Sequence, residues 1–254
     1  MPDNLSNPPA DSSIAEHLAV GSLPSAILLA LTGGSLDAFI YLNHGHVFAA
    51  AMTGNGVLLG VAILHHDYAQ ALRHLLPIFG FITGIFFANL LDKSLKHHAV
   101  TVGLVCEISA LFVASFLPGH FPDLAFVPII AIVAAYQVAS FRTADNYAYN
   151  STFMTGNLRT AVDGLYDALQ PTTRKAGLRK FRKLSLIVLA FLAGATAGAI
   201  LSPRLYNHTL WLINLPLIAV LILTLRGAHR APWASAKKVG EPALQTDPPQ
   251  GTSL

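Results

Sequence analysis

Six long apolar runs, separated by short polar or charged segments, organise this chain. Each run is almost free of Lys and Arg, and its length is close to the ~20 residues that an α-helix needs to cross a bilayer. The runs cover 24–42, 75–91, 99–117, 124–141, 184–202 and 208–225. A single run of this kind could be a buried core helix. Six in one chain predict an all-α fold, a polytopic transmembrane helix bundle.

Two shorter segments carry the same four residues, Met-Thr-Gly-Asn, at 52–55 and at 154–157. The glycine of this MTGN motif favours a break in the backbone, and Thr53 or Thr155 is expected to cap a helix that begins at the following Asn. Broken backbone survives at membrane depth only where protein or water satisfies it. We therefore predict six crossings plus two re-entrant or interfacial MTGN segments. The alternative is eight crossings, with both MTGN segments spanning the membrane.

The order of the segments repeats along the chain. Each MTGN segment is followed by a GxxxG spacing, and Phe81–Gly84 aligns with Phe191–Gly194. GxxxG puts two glycines on one helix face and allows a second helix to come close. The sequence therefore predicts a transmembrane domain at 23–226 made of two pseudo-symmetric half-repeats, about 23–117 and 124–226. The glycine faces are expected to pack either inside one chain or between the chains of a homo-oligomer.

Lys and Arg mark the orientation of the predicted bundle. They are concentrated in the loop at 171–183 and after residue 226. Under the positive-inside rule, both crossing numbers place both termini in the cytoplasm, and six crossings give the larger excess of basic residues inside. The predicted location is the bacterial inner (plasma) membrane, with a multi-pass chain. The polar segments 1–22 and 227–254 are predicted to be disordered tails.

Composition supports the membrane class and excludes several others. The 254 residues are 53% hydrophobic and only 11% charged, against roughly 25% charged in soluble domains. The single cysteine, Cys106, excludes an intramolecular disulfide and a cysteine zinc cluster. The histidines match no metal-binding pattern, and no phosphate-binding or dinucleotide motif is present. We therefore predict no metal, no cofactor, no catalytic residues and no nucleic-acid partner; the expected partner is the lipid bilayer.

A small set of polar side chains lies within or beside the predicted spans. A charge at the bilayer centre costs at least ~2.5–3.5 kcal/mol, so it needs a partner or a water-filled cavity. The candidates for binding a small-molecule or ion substrate are Asp37, Thr53, Asn55, Glu107, Gln137, Thr155, Asn157 and Arg159.

These candidates support more than one interpretation. Asp37 or Glu107 is predicted to couple transport to a proton or cation. The amides of Asn55 and Asn157 are suited either to a polar substrate or to a hydrogen bond between the halves. For Arg159 the alternative is an ion pair with Asp163, one helical turn away.

The same residues carry a resemblance to a known family. Gly33–Ala38, followed by Phe48 and the first MTGN, resembles the first-half signature of the YoaK-like bacterial integral membrane proteins, whose function is unknown. Gln137 and the second MTGN resemble the second-half signature, although Val138 stands where that family usually has Asn. The resemblance implies a membrane location and an internal repeat, and it implies no substrate.

From these observations the leading hypothesis is a transporter or permease for a small solute, because two related halves with polar, breakable segments lie beside intramembrane acids. The alternatives are a non-transporting membrane scaffold and an intramembrane enzyme. The enzyme is disfavoured, because the sequence places no nucleophile beside a base.

Overall fold

The computed structural model describes residues 21–95 and 98–239, and this part of the chain is almost entirely helical. Its helices are α1 Leu23–Asn43, α2 Met52–Leu64, α3 Tyr68–Leu95, α4 Ala99–Ala114, α5 Asp123–Ser140, α6 Met154–Ala168, α7 Arg174–Leu205 and α8 Thr209–Val239. A short antiparallel hairpin, β1 Thr143–Ala144 and β2 Tyr147–Ala148, lies between α5 and α6. The all-α class predicted from the apolar runs is confirmed.

Within the described residues, four apolar helical stretches are long enough to cross a bilayer: Leu23–Asn43, Tyr68–Leu95, Asp123–Ser140 and Arg174–Gly227. The last has 54 residues, far more than one crossing requires. The chain turns within it at Tyr206, where φ is 48° and ψ is −131°, and a 3-10 turn then leads into α8. This stretch therefore contains two membrane-length helices, α7 and the start of α8.

Glycine faces bring the two parts of the chain together. Both GxxxG pairs lie against the backbone of a helix from the other part of the chain, so that an added Cβ would meet main-chain atoms there. The contacts are Gly80 with Pro128, Gly84 with Ile132, Gly194 with Leu31 and Gly198 with Ser35. The close approach predicted from GxxxG is confirmed, and both faces pack inside one chain.

Hydrogen bonds gather several helix ends at one end of the bundle, which we call the His44 end. The imidazole of His44, just after α1, contacts Asp123 at the start of α5 and Asn207 between α7 and α8, at 2.9 and 3.1 Å. Gln70, near the start of α3, donates to the carbonyl oxygen of Gly45 at 2.9 Å. Helices α1 and α7 therefore end here, and α3 and α5 begin here.

The opposite end, which we call the Lys183 end, is joined by another set of bonds. Lys183 Nζ lies 2.7 Å from Asp145 Oδ2, and the Asp145 amide donates to the Gly21 carbonyl oxygen at 2.6 Å. Gly21 precedes α1, Asp145 follows α5, and Lys183 lies in α7. Helices α1 and α7 thus run parallel to each other and antiparallel to α3 and α5.

The predicted tails fall mostly outside the described residues, which omit 1–20 and 240–254. Where the structure describes the C-terminal segment, α8 continues to Val239. This is beyond residue 226, where the sequence predicts the transmembrane domain to end.

Candidate functional site

Each MTGN motif forms the first turn of a helix. Helix α2 begins at Met52 and α6 begins at Met154, and neither helix has a side-chain hydrogen bond at its N-cap. The expectation that Thr53 or Thr155 caps a helix starting at the next Asn is therefore wrong. The threonine hydroxyls are therefore not used as caps. In each segment it is the Asn side chain that binds the preceding loop.

The two MTGN asparagines make the same pair of hydrogen bonds. Asn55 accepts from the Phe48 amide at 2.9 Å and donates to the Phe48 carbonyl oxygen at 2.8 Å. Asn157 accepts from the Asn150 amide at 2.9 Å and donates to the Asn150 carbonyl oxygen at 2.6 Å. Both side chains are buried. Each amide thus holds its own preceding loop. Among the described residues it makes no hydrogen bond to the other half of the chain, although one interpretation had expected such a bond.

The two pinned loops reach the middle of α1 from opposite ends of the bundle. The Ala50 amide donates to Asp37 Oδ1 at 2.8 Å, about 9 Å from the end of α1 at 1.5 Å per residue. The Ser151 carbonyl lies against Gly33, about 15 Å from the start of α1. We call these loops, 44–51 and 141–153, the first and second tips.

The tips are held in different ways at the matching amide. In the first tip the Ala50 amide is bound by Asp37, a carboxylate on α1. In the second tip the Thr152 amide is bound by the side chain of Asn150, two residues earlier, at 2.9 Å. An acidic side chain therefore binds the amide of the first tip, and a neutral side chain binds the matching amide of the second tip.

A cavity of about 700 Å³ lies where the tips meet α1 and α7. The starts of both MTGN helices face it, through Thr53 and Thr155, and so does Asp37. Asp37 is 5% exposed, and its Oδ2 atom has no hydrogen-bond partner in the described structure. The remaining walls are largely apolar and include Tyr41, Phe48, Phe153 and Phe191. We call this space the MTGN cavity.

The other predicted site residues lie elsewhere. Gln137 donates to the Leu29 carbonyl oxygen at 2.8 Å and so joins α5 to α1. Glu107 is buried on α4 and lines a separate cavity. Arg159 and Asp163 are exposed on α6, and the ion pairs of the described residues do not include one between them. The structure thus unites Asp37, Thr53 and Thr155 and leaves the other candidates outside the MTGN cavity.

The sequence interpretation missed the buried contacts of His44. Asn207 donates to the Leu117 carbonyl oxygen at 2.9 Å, so its own oxygen faces His44 Nε2. Asp123 accepts at Nδ1. Both ring nitrogens of His44 are thus bound by side chains from other parts of the chain. No local pattern reveals this cluster, because its partners are far away in the chain. Asn150 was also missed, although its spacing from the second MTGN repeats that of Phe48 from the first.

Comparison with known proteins identifies the family of the chain. The family profile described as "Protein of unknown function (DUF1275)" matches residues 25–223. The chain belongs to this family. The UPF0700 transmembrane protein YoaK of Bacillus subtilis (strain 168) is 31% identical to it over 192 residues, which is 72% of this chain and 85% of that protein. No solved structure matches the chain.

Membership of the DUF1275 family confirms the resemblance found in the motifs. The relative is a transmembrane protein, and the described chain has several apolar helices of membrane length. The protein is therefore a multi-pass membrane protein. The family description assigns no substrate, so a function must be argued from the MTGN cavity.

Proposed function

We propose that the protein is an inner-membrane transporter or permease for a small solute, which binds in the MTGN cavity. The observation that carries this proposal is the meeting of two MTGN helix starts beside an unpaired Asp37 oxygen in a space of about 700 Å³. Cavities of roughly 300–1,000 Å³ hold small molecules. Polar groups on broken segments near the centre of a helix bundle are typical of transporter binding sites.

The chemistry of the walls favours a solute with a hydrogen-bond donor and an apolar body. Asp37 Oδ1 is occupied by the Ala50 amide, which leaves Oδ2 to accept one further hydrogen bond. Thr53 and Thr155 offer a hydroxyl from each side. The aromatic walls would cover the apolar part of the solute.

The proposed topology has six crossings and two re-entrant segments, with the halves inverted and both termini in the cytoplasm. It is supported by the directions of the helices: α1 and α7 run from the Lys183 end to the His44 end, whereas α3 and α5 run the other way. The matching bonds of Asn55 and Asn157 support an inverted repeat, because the two tips enter from opposite ends.

Transport is tested by a solute-uptake screen that compares cells with and without the protein, followed by assays in proteoliposomes. Asp37→Asn and Thr155→Val are expected to reduce uptake more than tenfold while the protein stays folded. Arg159→Gln is the matched control, because Arg159 is exposed outside the cavity. If a folded, reconstituted sample moves no solute from a broad panel, the proposal is wrong.

Topology is tested by cysteine accessibility in a Cys106→Ala background. Cysteines introduced at Lys93 and at Arg142 should both be labelled from the cytoplasm, and one at Arg73 from the periplasm. Eight crossings would instead put position 93 in the periplasm and position 73 in the cytoplasm.

A non-transporting scaffold is the second candidate. It is favoured by one observation: the amides of Asn55 and Asn157 are already satisfied by their own loops, as purely structural side chains would be. Solute binding distinguishes the two candidates. A scaffold would keep its partners and its stability in Asp37→Asn and would bind no small molecule in the MTGN cavity.

A further inference from the structure

A second cavity, separate from the MTGN cavity, lies between α3, α4 and α5. Its volume is about 470 Å³, and its lining shares no residue with the MTGN cavity. The walls are apolar except at a few positions, and Glu107 is the acidic residue among them. Phe87 and Leu90, at its border, are 51% and 48% exposed. The cavity therefore adjoins the lipid-facing surface of the bundle.

Glu107 has no compensation for its charge in the described structure. Its side chain is 2% exposed, and neither carboxylate oxygen has a hydrogen-bond partner. Among the described residues that line the cavity there is no Lys, Arg or His. Tyr136 also lines the cavity, but its hydroxyl donates to the Ala99 carbonyl oxygen at 2.9 Å. Its proton is therefore not donated to Glu107. An uncompensated carboxylate at this depth costs at least ~2.5–3.5 kcal/mol.

Several helices contribute polar groups near Glu107. Its own helix contributes Cys106, and α5 contributes Tyr136. On α3, Asp92 lies beyond Tyr136 in an adjoining cleft that also holds Arg142. Helix α8 packs against α4 and brings Asn214, whose amide donates to the Ile108 carbonyl oxygen at 3.3 Å. None of these is a cation facing Glu107.

We propose that this cavity binds a hydrophobic monovalent organic cation, which replaces a proton on Glu107. In the empty cavity the carboxyl group holds the proton and is neutral. When the cation enters, the O–H bond breaks, one proton leaves to water, and the carboxylate pairs with the bound cation. No electron is transferred. The aromatic rings of Phe87 and Tyr136 supply faces that attract a cation in a dry site.

This site does not depend on the function proposed for the MTGN cavity, because a binding site for cations would exist whether or not that cavity transports a solute. The ligand class follows from the walls: a metal ion would need several oxygen ligands, and the cavity offers one carboxyl group. A hydrophobic cation needs only that group and an apolar surround.

The test is binding of tetraphenylphosphonium to the full chain in lipid nanodiscs, measured by isothermal titration calorimetry. We expect saturable binding with release of about one proton, counted from buffers of different ionisation heats. Affinity should fall up to tenfold for each unit of pH decrease while the proton occupies Glu107. Glu107→Gln should abolish binding, Glu107→Asp should weaken it, and the exposed control Asp163→Asn should leave it unchanged.

A second measurement covers the case in which Glu107→Gln does not fold. A hydrophobic carbodiimide, which reacts with protonated carboxyl groups in apolar surroundings, should modify Glu107 in the wild-type protein. Mass spectrometry should find that tetraphenylphosphonium protects it. The proposal is overturned if the cation binds without pH dependence, if Glu107→Gln binds as the wild type does, if Asp37→Asn alone loses binding, or if the cation gives no protection.

Discussion

The first and second tips share one pair of hydrogen bonds but differ in the side chain that binds the neighbouring backbone amide. Each is pinned by an MTGN asparagine through the same two hydrogen bonds. At the neighbouring amide the first tip uses Asp37, on another segment, and the second uses Asn150, a neutral neighbour. The shared bonds explain the repeated motif. Because only the first tip is bound by a carboxylate, the ionisable side chain of the MTGN cavity, Asp37, contacts the first tip and not the second.

The helices that follow the tips differ as well. Helix α2 is apolar along its length, with Val57 and Leu64 strongly exposed. Helix α6 carries Arg159 and Asp163 on its surface, and its Asp167 lies 3.5 Å from Lys180 on α7. The charges of the second MTGN helix are therefore directed outward rather than into the cavity. A lipid-facing helix favours the first pattern and an interfacial helix the second.

The largest expected effect comes from removing the pins. Asn55→Ala and Asn157→Ala each delete two hydrogen bonds and leave a buried amide and carbonyl group unpaired. At ~1–3 kcal/mol for each such group, each variant should lose about 2–6 kcal/mol of stability. Thermal unfolding in detergent measures the loss. Asn89→Ala, at an exposed position on α3, should stay within about 0.5 kcal/mol. A large loss in only one of the two variants would show that the tips are not equivalent.

The next effect concerns the glycine faces. Gly80→Ala and Gly194→Ala should each cost about 1–3 kcal/mol, because the new methyl group pushes two packed helices apart. The apparent Tm reports this cost. Gly60→Ala is the matched control: apart from its chain neighbours and its own helix backbone, no described atom lies within 4 Å of its added Cβ, and alanine favours the helix. Equal effects at Gly60 and Gly80 would contradict the assigned packing.

A smaller effect separates the two tips. Asp37→Ala and Asn150→Ala should each cost about 1–3 kcal/mol, since each leaves a tip amide without its acceptor. Asp37→Asn keeps an acceptor for the Ala50 amide and should stay close to wild-type stability. Chemical unfolding of the three variants tests this order. If Asp37→Asn is as unstable as Asp37→Ala, the charge of Asp37 is structural, and its proposed role in the cavity is weakened.

The smallest effect compares the two glycines of the motif. Gly156→Ala should stabilise the protein by about 0.5–1 kcal/mol, because nothing lies within 4 Å of the added Cβ and alanine costs less backbone entropy. Gly54→Ala should be neutral or destabilising, because the Cβ would lie 2.8 Å from the Phe48 ring. The Tm difference between these matched variants measures the contact. Stabilisation of both by the same amount would mean that the ring moves away freely.

Most of the fold could be predicted from the sequence because membrane helices are encoded locally. Apolar runs near ~20 residues long predict helices wherever they occur, and the six predicted runs fall in α1, α3, α4, α5, α7 and α8. The GxxxG spacing predicted close helix packing correctly for the same reason. The prediction that Thr53 or Thr155 caps a helix was wrong because the Met-Thr-Gly-Asn motif is compatible with two arrangements. In one the Thr side chain caps the helix, and in the other the Asn side chain binds the preceding loop. Only their contacts distinguish them.

The sequence by itself determined the all-α class, the membrane location, the family and the positions of the paired MTGN motifs. Each of these depends on hydrophobicity or on short motifs. Only the tertiary structure decided which polar groups meet. It joins Asp37 to Ala50 and places both threonines in the same cavity as Asp37. It joins His44 to Asp123 and Asn207, and it leaves Glu107 without a hydrogen-bond partner among the described residues, in a second cavity. Those pairings depend on how distant helices pack, and no local pattern records that packing.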